Sequence, residues 1–323
     1  MKNRNESEKK PLIVLTGPTA VGKTNLSIRL AKKIGGEIIS ADSMQIYKKM
    51  NIGTAKISPE EMAGVPHYLV DELDPSEEFH VVRFQQMAKE AMETIYSHGH
   101  IPIVVGGTGF YIQALLYDID FADNPQDDGY RKELEAIADS GRAELLYEQL
   151  KKTDPKAAEE IHAHNIKRVI RALEFYHQTG QLISEHNEKE RQKESPYQFV
   201  YFVLNDDRQH LYQRIDRRVD QMMEEGLVEE VKRLKAMGCT RDMVSMQGLG
   251  YKEILAYLDG ECSIEEAVYT IKRDTRHFAK RQITWFKRER QVIWINKEIY
   301  DYDEDRILQT MVQYTEDAFG YKD

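Results

Sequence analysis

Cysteine is scarce in this chain: Cys239 and Cys262 are the only two in 323 residues, with no C-x-x-C pair and no metal-ligand spacing. That excludes a disulfide-stapled scaffold and a zinc module, and it suits a reducing cytoplasm. Long apolar runs are absent too. No segment reaches the roughly 20 residues of a membrane-spanning helix. The opening MKNRNESEKKP is charged and lacks the apolar centre of a signal peptide, so residues 1–10 read as a disordered tail. An excess of positive charge is also missing. The formal net charge of −10, with 41% hydrophobic and 31% charged residues, describes a soluble protein whose surface as a whole is not built to coat nucleic acid. A local basic patch stays open, because binding depends on where the charge sits. Internal repeats and low-complexity tracts are absent as well.

What is present is a series of short β-branched runs: Leu12–Thr16, Glu37–Ser40, Ile101–Val105, Phe199–Leu204 and Val292–Ile295. Helical patterns separate them, which is the signature of a parallel α/β sheet. Between the third and fourth runs lie about ninety residues of helical periodicity, broken at Pro125, Gly129, Gly141, Pro155 and Gly180. They read as an all-helical insertion over 122–196, with the polar segment 183–198 as a flexible return. The sheet domain is then 11–121 with 197–300, and 301–323 forms a C-terminal helix or tail. Residues 207–290 are again mostly helical.

The first run is followed by GPTAVGKT, residues 17–24, and then by a helical stretch. G-x-x-x-x-G-K-T between a strand and a helix is a phosphate-binding P-loop, and it sets the fold class as α/β with a P-loop NTPase-like parallel core. The glycines let backbone amides fold around phosphate oxygens, Lys23 supplies a cation, and Thr24 can reach a magnesium ion. P-loop kinases and ATPases add a magnesium-anchoring Asp at the end of a later strand. Here the run IPIVV ends in GGTGFY, residues 106–111, without a carboxylate; its glycines permit close backbone approach, and Thr108 and Tyr111 add hydroxyls. The carboxylate that leaves an early strand is Asp42, in EIISADSMQIY. Strand ends of open parallel sheets face the ligand crevice. Asp42 is therefore a metal ligand, a general base or the cap of a following turn.

Seven blocks now stand in order: GPTAVGKT, ISADSMQIYKKMNIGTAK, VPHYLVD, VVGGTGFYIQALLYD, IKRVIRALE, MQGLGYKE and AKRQITWFKRE. Together, over about residues 11–295, they resemble the bacterial tRNA dimethylallyltransferase family, also called tRNA isopentenyltransferases. The resemblance implies transfer of the dimethylallyl group of dimethylallyl diphosphate to N6 of the adenosine immediately 3′ of the anticodon, position 37, with Mg²⁺ assisting. The P-loop then holds a diphosphate leaving group. The family places that group on Gly17, Thr19, Ala20, Val21, Gly22, Lys23, Thr24 and Arg218, with Asp42 accepting the proton of the attacking amine. Thr24 is the residue assigned to Mg²⁺. Arg214, Arg217 and Arg218 share helical spacing in LYQRIDRRVDQMM.

The resemblance also implies contacts with the tRNA anticodon stem-loop. Matching residues are Asp42, Ser43, Met44 and Gln45; Asn165, Ile166, Lys167, Arg168 and Val169; Met246, Gln247, Gly248, Leu249, Gly250 and Tyr251. Thr108 and Arg131 join them as nearby contacts. At IHAHN the chain departs from the family's usual His-Pro-Asn-Asp, which puts the turn before Arg168 in question. His67, His162 and His164 lack metal spacing and read as structural or RNA-contact residues. Independently, IKRDTRHFAKRQITWFKRER holds eight Lys/Arg between 272 and 290 against Asp274 and Glu289. At 100° per residue Arg273, Arg276, Lys280 and Lys287 share a face, with Ile271, Phe278, Trp285 and Phe286 opposite, which predicts a phosphate-binding stripe over an apolar face. A monomer in the cytoplasm is expected. The alternatives are an isopentenyltransferase of free adenine nucleotides, a small-molecule kinase and a non-catalytic RNA-binding module.

Overall fold

The computed structural model describes residues 9–121 and 128–320. The expected runs become strands β1 (Pro11–Thr16), β2 (Gly36–Ala41), β4 (Ile101–Gly106), β5 (Gln198–Asn205) and β6 (Val292–Asn296), joined by a short β3 (His67–Tyr68). All pair in parallel, in the order β3-β2-β4-β1-β5-β6. Helices cover the sheet, so its central strands are apolar on both faces: Leu12, Ile13, Leu15, Ile103 and Phe202 are fully buried. At two residues, β3 is too short to leave an alternating pattern in the sequence.

Around the sheet stand α1 (Lys23–Ile34), α2 (Pro59–Met62), α3 (Val81–Ser97) and α4 (Gly109–Leu116). The helical segment contributes α5 (Asp128–Ile137), α6 (Ala143–Thr153), α7 (Pro155–Glu160), α8 (Ile166–Thr179) and α9 (Ile183–Gln192). After β5 come α10 (Arg208–Glu224), α11 (Leu227–Ala236), α12 (Tyr251–Leu258), α13 (Ile264–Phe286) and, beyond β6, α14 (Glu304–Phe319). The C-terminal helix is integral to the sheet unit: Ile307, Leu308 and Met311 share the core with Leu26 and Leu30 of α1. Asn25 Nδ2 also donates to Glu304 at 2.7 Å.

The chain divides into two units, residues up to 116 with those from 196 onward, and residues 117–195. The second begins about five residues before the expected boundary at 122. The expected tail, 1–10, lies outside the described residues up to residue 8, whereas Lys10 is engaged, with its Nζ 2.8 Å from Glu93. Within the helical unit Leu134, Leu146, Leu150, Val169, Ile170 and Leu173 make the core. The segment 183–198, expected to be a flexible return, instead forms α9 and the start of β5. Buried Asp154 explains the helix. Its Oδ1 caps α7 at Ala157 N (3.0 Å) and accepts from Ser184 Oγ (2.7 Å), while Oδ2 accepts from Ser184 N (3.0 Å). A partner 30 residues upstream is invisible to a local reading. Among the described residues no helix is long and apolar enough to cross a membrane.

Candidate active site

The C-terminal ends of β1, β2 and β4 meet at one edge of the sheet, and short hydrogen bonds tie them. Thr16 Oγ1 donates to Gly106 O at 2.6 Å, and Thr108 N donates to Ala41 O at 3.3 Å. The P-loop leaves β1 here. Gly22 opens α1 at φ 99°, a left-handed conformation that L side chains resist. Lys23 Nζ donates to the Gly17 and Pro18 carbonyls, each at 2.9 Å. Arg214 Nε of α10 donates to Ala20 O at 2.7 Å, and the buried Lys297 Nζ lies 3.4 Å from Val21 O. The loop's carbonyls are thus drawn to cations on neighbouring elements.

Gln282, buried in α13, completes this support. Its Oε1 accepts from Thr19 N at 2.9 Å and its Nε2 donates to Gly107 O at 2.9 Å, joining the P-loop to the glycine-rich exit of β4. Sequence reasoning missed Gln282 because it sits within a run of cations and carries no motif spacing. Lys297, just beyond β6 between Asn296 and Glu298, likewise carries no motif spacing.

Asp42 ends β2. Its Oδ1 accepts from Met44 N (2.9 Å) and Gln45 N (3.4 Å), so it does cap the following turn. The same carboxylate acts electrostatically on both Lys23 and Arg218. Burial pushes the Lys23 ammonium down to about 8, with Asp42 opposing and Arg218 reinforcing the shift. Burial likewise lowers the Arg218 guanidinium, opposed by Asp42 and reinforced by Arg214. The structure therefore places Asp42 within electrostatic reach of both Lys23 and Arg218. Thr24 is exposed in the first turn of α1. Tyr111, expected to offer a hydroxyl, is buried instead, stacked on Phe84 with ring centroids 4.8 Å apart.

The expected RNA contacts separate into side chains that face solvent and side chains that pack. Ser43, Met44 and Gln45 are half-buried, with Gln45 Nε2 donating to Thr54 O and Ala55 O. Thr108 is half-buried at the start of α4. Met246 and Tyr251 are buried, so their side chains do not meet solvent. Tyr251 instead donates to Glu230 Oε1 at 2.7 Å, and that buried carboxylate also accepts from the amides of Asn51, Ile52 and Gly53. Gln247 is exposed, Gly248 and Leu249 are half-buried, and Gly250 is buried. In the helical unit Asn165, Lys167 and Arg168 are exposed, Ile166 is half-buried and Val169 belongs to the core. Arg131 is held by Glu135 (3.0 Å) and Glu174 (3.3 Å).

The basic stripe needs a correction. Arg276 pairs with Asp216, Arg273 with Asp274 at 2.8 Å, and Lys272 with Asp220 at 2.6 Å, so the first half of α13 is neutralised within the molecule. The buried face is Ala267, Ile271, Ala279, Gln282 and Phe286, while Phe278 and Trp285 are only half-buried. The helix is turned relative to the expected wheel because Gln282 reaches the P-loop and Trp285 lies over Gly109, where a Cβ would strike the indole. Lys287 sits exposed at the C-cap. What remains open is a depression of about 410 Å³ lined by His277, Lys280, Arg281, Thr284, Trp285 and Arg288.

A parallel α/β fold with a P-loop, an opposed carboxylate and surrounding cations defines a phosphate-handling α/β protein. The IPP transferase family profile matches residues 45–289. The tRNA dimethylallyltransferase of Lachnoclostridium phytofermentans is 64% identical over 303 residues, covering 94% of this chain and 96% of the relative. The full-length tRNA isopentenylpyrophosphate transferase of Bacillus halodurans is similar in structure, with a TM-score of 0.72 at 45% identity over 96% of this chain and 98% of that one. A eukaryotic dimethylallyltransferase acting on tRNA gives a TM-score of 0.75 at 33% identity, covering 89% of this chain and 74% of its own. The chain belongs to this family of tRNA dimethylallyl- and isopentenyltransferases.

The Lys23 shift sets a pH test. An anion in the loop favours the ammonium form, so inorganic pyrophosphate should draw a proton onto Lys23 where the free group titrates, at about pH 8. Calorimetry in two buffers of different ionisation enthalpy should show proton uptake growing as pH rises through that value, with affinity falling. The excess over a Lys23→Met variant isolates the lysine. Equal proton uptake by both proteins would contradict the assignment.

Proposed function

We propose that this chain transfers the dimethylallyl group from dimethylallyl diphosphate to N6 of adenosine 37 of tRNA, releasing diphosphate and giving N6-(dimethylallyl)adenosine. The observation that carries the reading is a carboxylate, Asp42, set against the P-loop Lys23 and Arg218, where a kinase would carry a strand-terminal Asp on β4. In the reaction the bond between the allylic carbon and the diphosphate oxygen breaks, a bond from that carbon to N6 forms, and the amine's proton passes to Asp42. Negative charge gathers on the departing oxygens. Lys23, Arg218 and the P-loop amides would stabilise it. Asp42 already uses Oδ1 to hold its turn, which fixes the carboxylate and leaves Oδ2 for the proton.

Mg²⁺ takes hard oxygen ligands. The Thr24 hydroxyl, exposed beside the loop, fits that preference and would hold the ion, which when bound would neutralise diphosphate charge. The target amine is reached only when its base leaves the stack, so a single-stranded RNA loop suits the site. The exposed Asn165, Lys167 and Arg168 and the depression lined by Lys280, Arg281 and Arg288 offer phosphate contacts, which favours tRNA over free nucleotides. A cytoplasmic monomer belongs to this reading.

Incubation with dimethylallyl diphosphate and tRNA, followed by nucleoside mass analysis, should show adenosine gaining one prenyl group. The same incubation with AMP should leave the nucleotide unmodified. Asp42→Asn retains the size of the side chain and removes the base. Its turnover should drop by roughly two to four orders of magnitude with tRNA affinity nearly kept. Wild-type turnover in that variant would rule out Asp42 as the proton acceptor.

The corrected basic face gives a second test. Lys280→Gln/Arg288→Gln should weaken tRNA binding and lower the salt slope by about 0.7–0.9 per lost contact, with the chemical step at saturating tRNA little changed. An unchanged slope would move RNA binding away from α13.

A further inference from the structure

At the opposite edge of the sheet from the P-loop, where β2 and β4 begin, three side chains converge that the proposed reaction does not use. Glu37 of β2 is 2% exposed, and its Oε1 lies 2.9 Å from His98 Nδ1 and 2.6 Å from His100 Nδ1. The ligand-capable atoms of all three residues lie within 4.8 Å of one another. We propose that Glu37, His98 and His100 form a binding site for a zinc-type divalent transition metal.

Two imidazoles and one carboxylate are a donor set suited to zinc, and three protein ligands leave a position for water. In a tetrahedral site with metal–ligand bonds near 2.0–2.1 Å, ligand atoms stand about 3.3 Å apart, so the Glu37 carboxylate needs to move from each imidazole nitrogen by only several tenths of an ångström. Each imidazole binds through Nδ1 by carrying its proton on Nε2.

Two surrounding features favour a cation. Tyr68 OH donates to Glu37 Oε2 at 2.6 Å, fixing the carboxylate from behind and leaving Oε1 towards the histidines, as outer hydrogen bonds orient ligands in metal sites. His98 is the C-cap of the 17-residue α3, where the helix dipole presents its negative end. The two imidazoles are half-exposed, with side-chain exposures of 48% and 46%, so a hydrated ion has a route in. A bound ion would clamp the end of α3 to the starts of β2 and β4.

The test uses the untagged full chain, stripped with chelator and titrated with Zn²⁺, and with Co²⁺ for its visible d–d bands. One site of micromolar or tighter affinity is expected, unaffected by excess Mg²⁺, with the melting temperature raised by saturating zinc. His98→Asn/His100→Asn alters two half-exposed rings and should lose at least tenfold in affinity together with the cobalt bands. Tyr68→Phe keeps all three ligands and should weaken binding several-fold. His162→Asn/His164→Asn, which changes an exposed pair in the helical unit, should bind like wild type. Absence of binding in wild type, or equal binding by the His98/His100 variant, would overturn the proposal. So would loss of binding in the His162/His164 variant.

Discussion

Two hydrogen bonds from one amide hold the site together. Gln282 reaches from α13 to the backbone of the P-loop at Thr19 and to the backbone of the β4 exit at Gly107. A glycine-rich loop is conformationally free by composition, and freedom is a liability when its amides must point at one anion. Gln282, with Arg214 on Ala20 O and Lys297 near Val21 O, engages the loop's backbone at three successive residues, Thr19, Ala20 and Val21. The same α13 also carries the open basic depression over Trp285, so one helix joins the P-loop support to the cations proposed for RNA.

This arrangement explains why the absence of a strand-terminal Asp on β4 is not a defect. The exit of β4 is occupied by a contact to Gln282 and by the indole of Trp285 lying on Gly109, so the glycines there serve close packing. The carboxylate comes instead from β2, where Asp42 faces Lys23 and Arg218. Burial places Lys23 at about 8, within reach of neutral pH, and the Asp42 carboxylate opposes that shift.

Much of this was legible in the sequence because it is written locally. The P-loop carries its own spacing, and five of the six strands are short apolar runs bounded by helical patterns. Asp42 follows such a run directly. What was not legible depends on partners distant along the chain. Gln282 meets Thr19 across 263 positions, and Glu230 meets the amide of Asn51 across 179. Asp154 turns a polar segment expected to be flexible into α9 through Ser184. The basic stripe misled for a related reason: its charges were counted on one helix, while Asp216 and Asp220, which neutralise Arg276 and Lys272, lie on α10. Tyr251 was expected among the RNA contacts, yet its hydroxyl is spent on Glu230 inside the protein.

Gln282 fixes the P-loop on which the proposed diphosphate site is built. The most direct test is the affinity for inorganic pyrophosphate of a Gln282→Met variant, which keeps the volume and removes both hydrogen bonds. Leaving the half-buried Thr19 amide and Gly107 carbonyl without these partners costs up to about 1–3 kcal/mol each. We therefore expect pyrophosphate affinity to fall by about tenfold or more, with the fold and tRNA affinity retained. A folded variant that binds pyrophosphate as tightly as wild type would contradict the account.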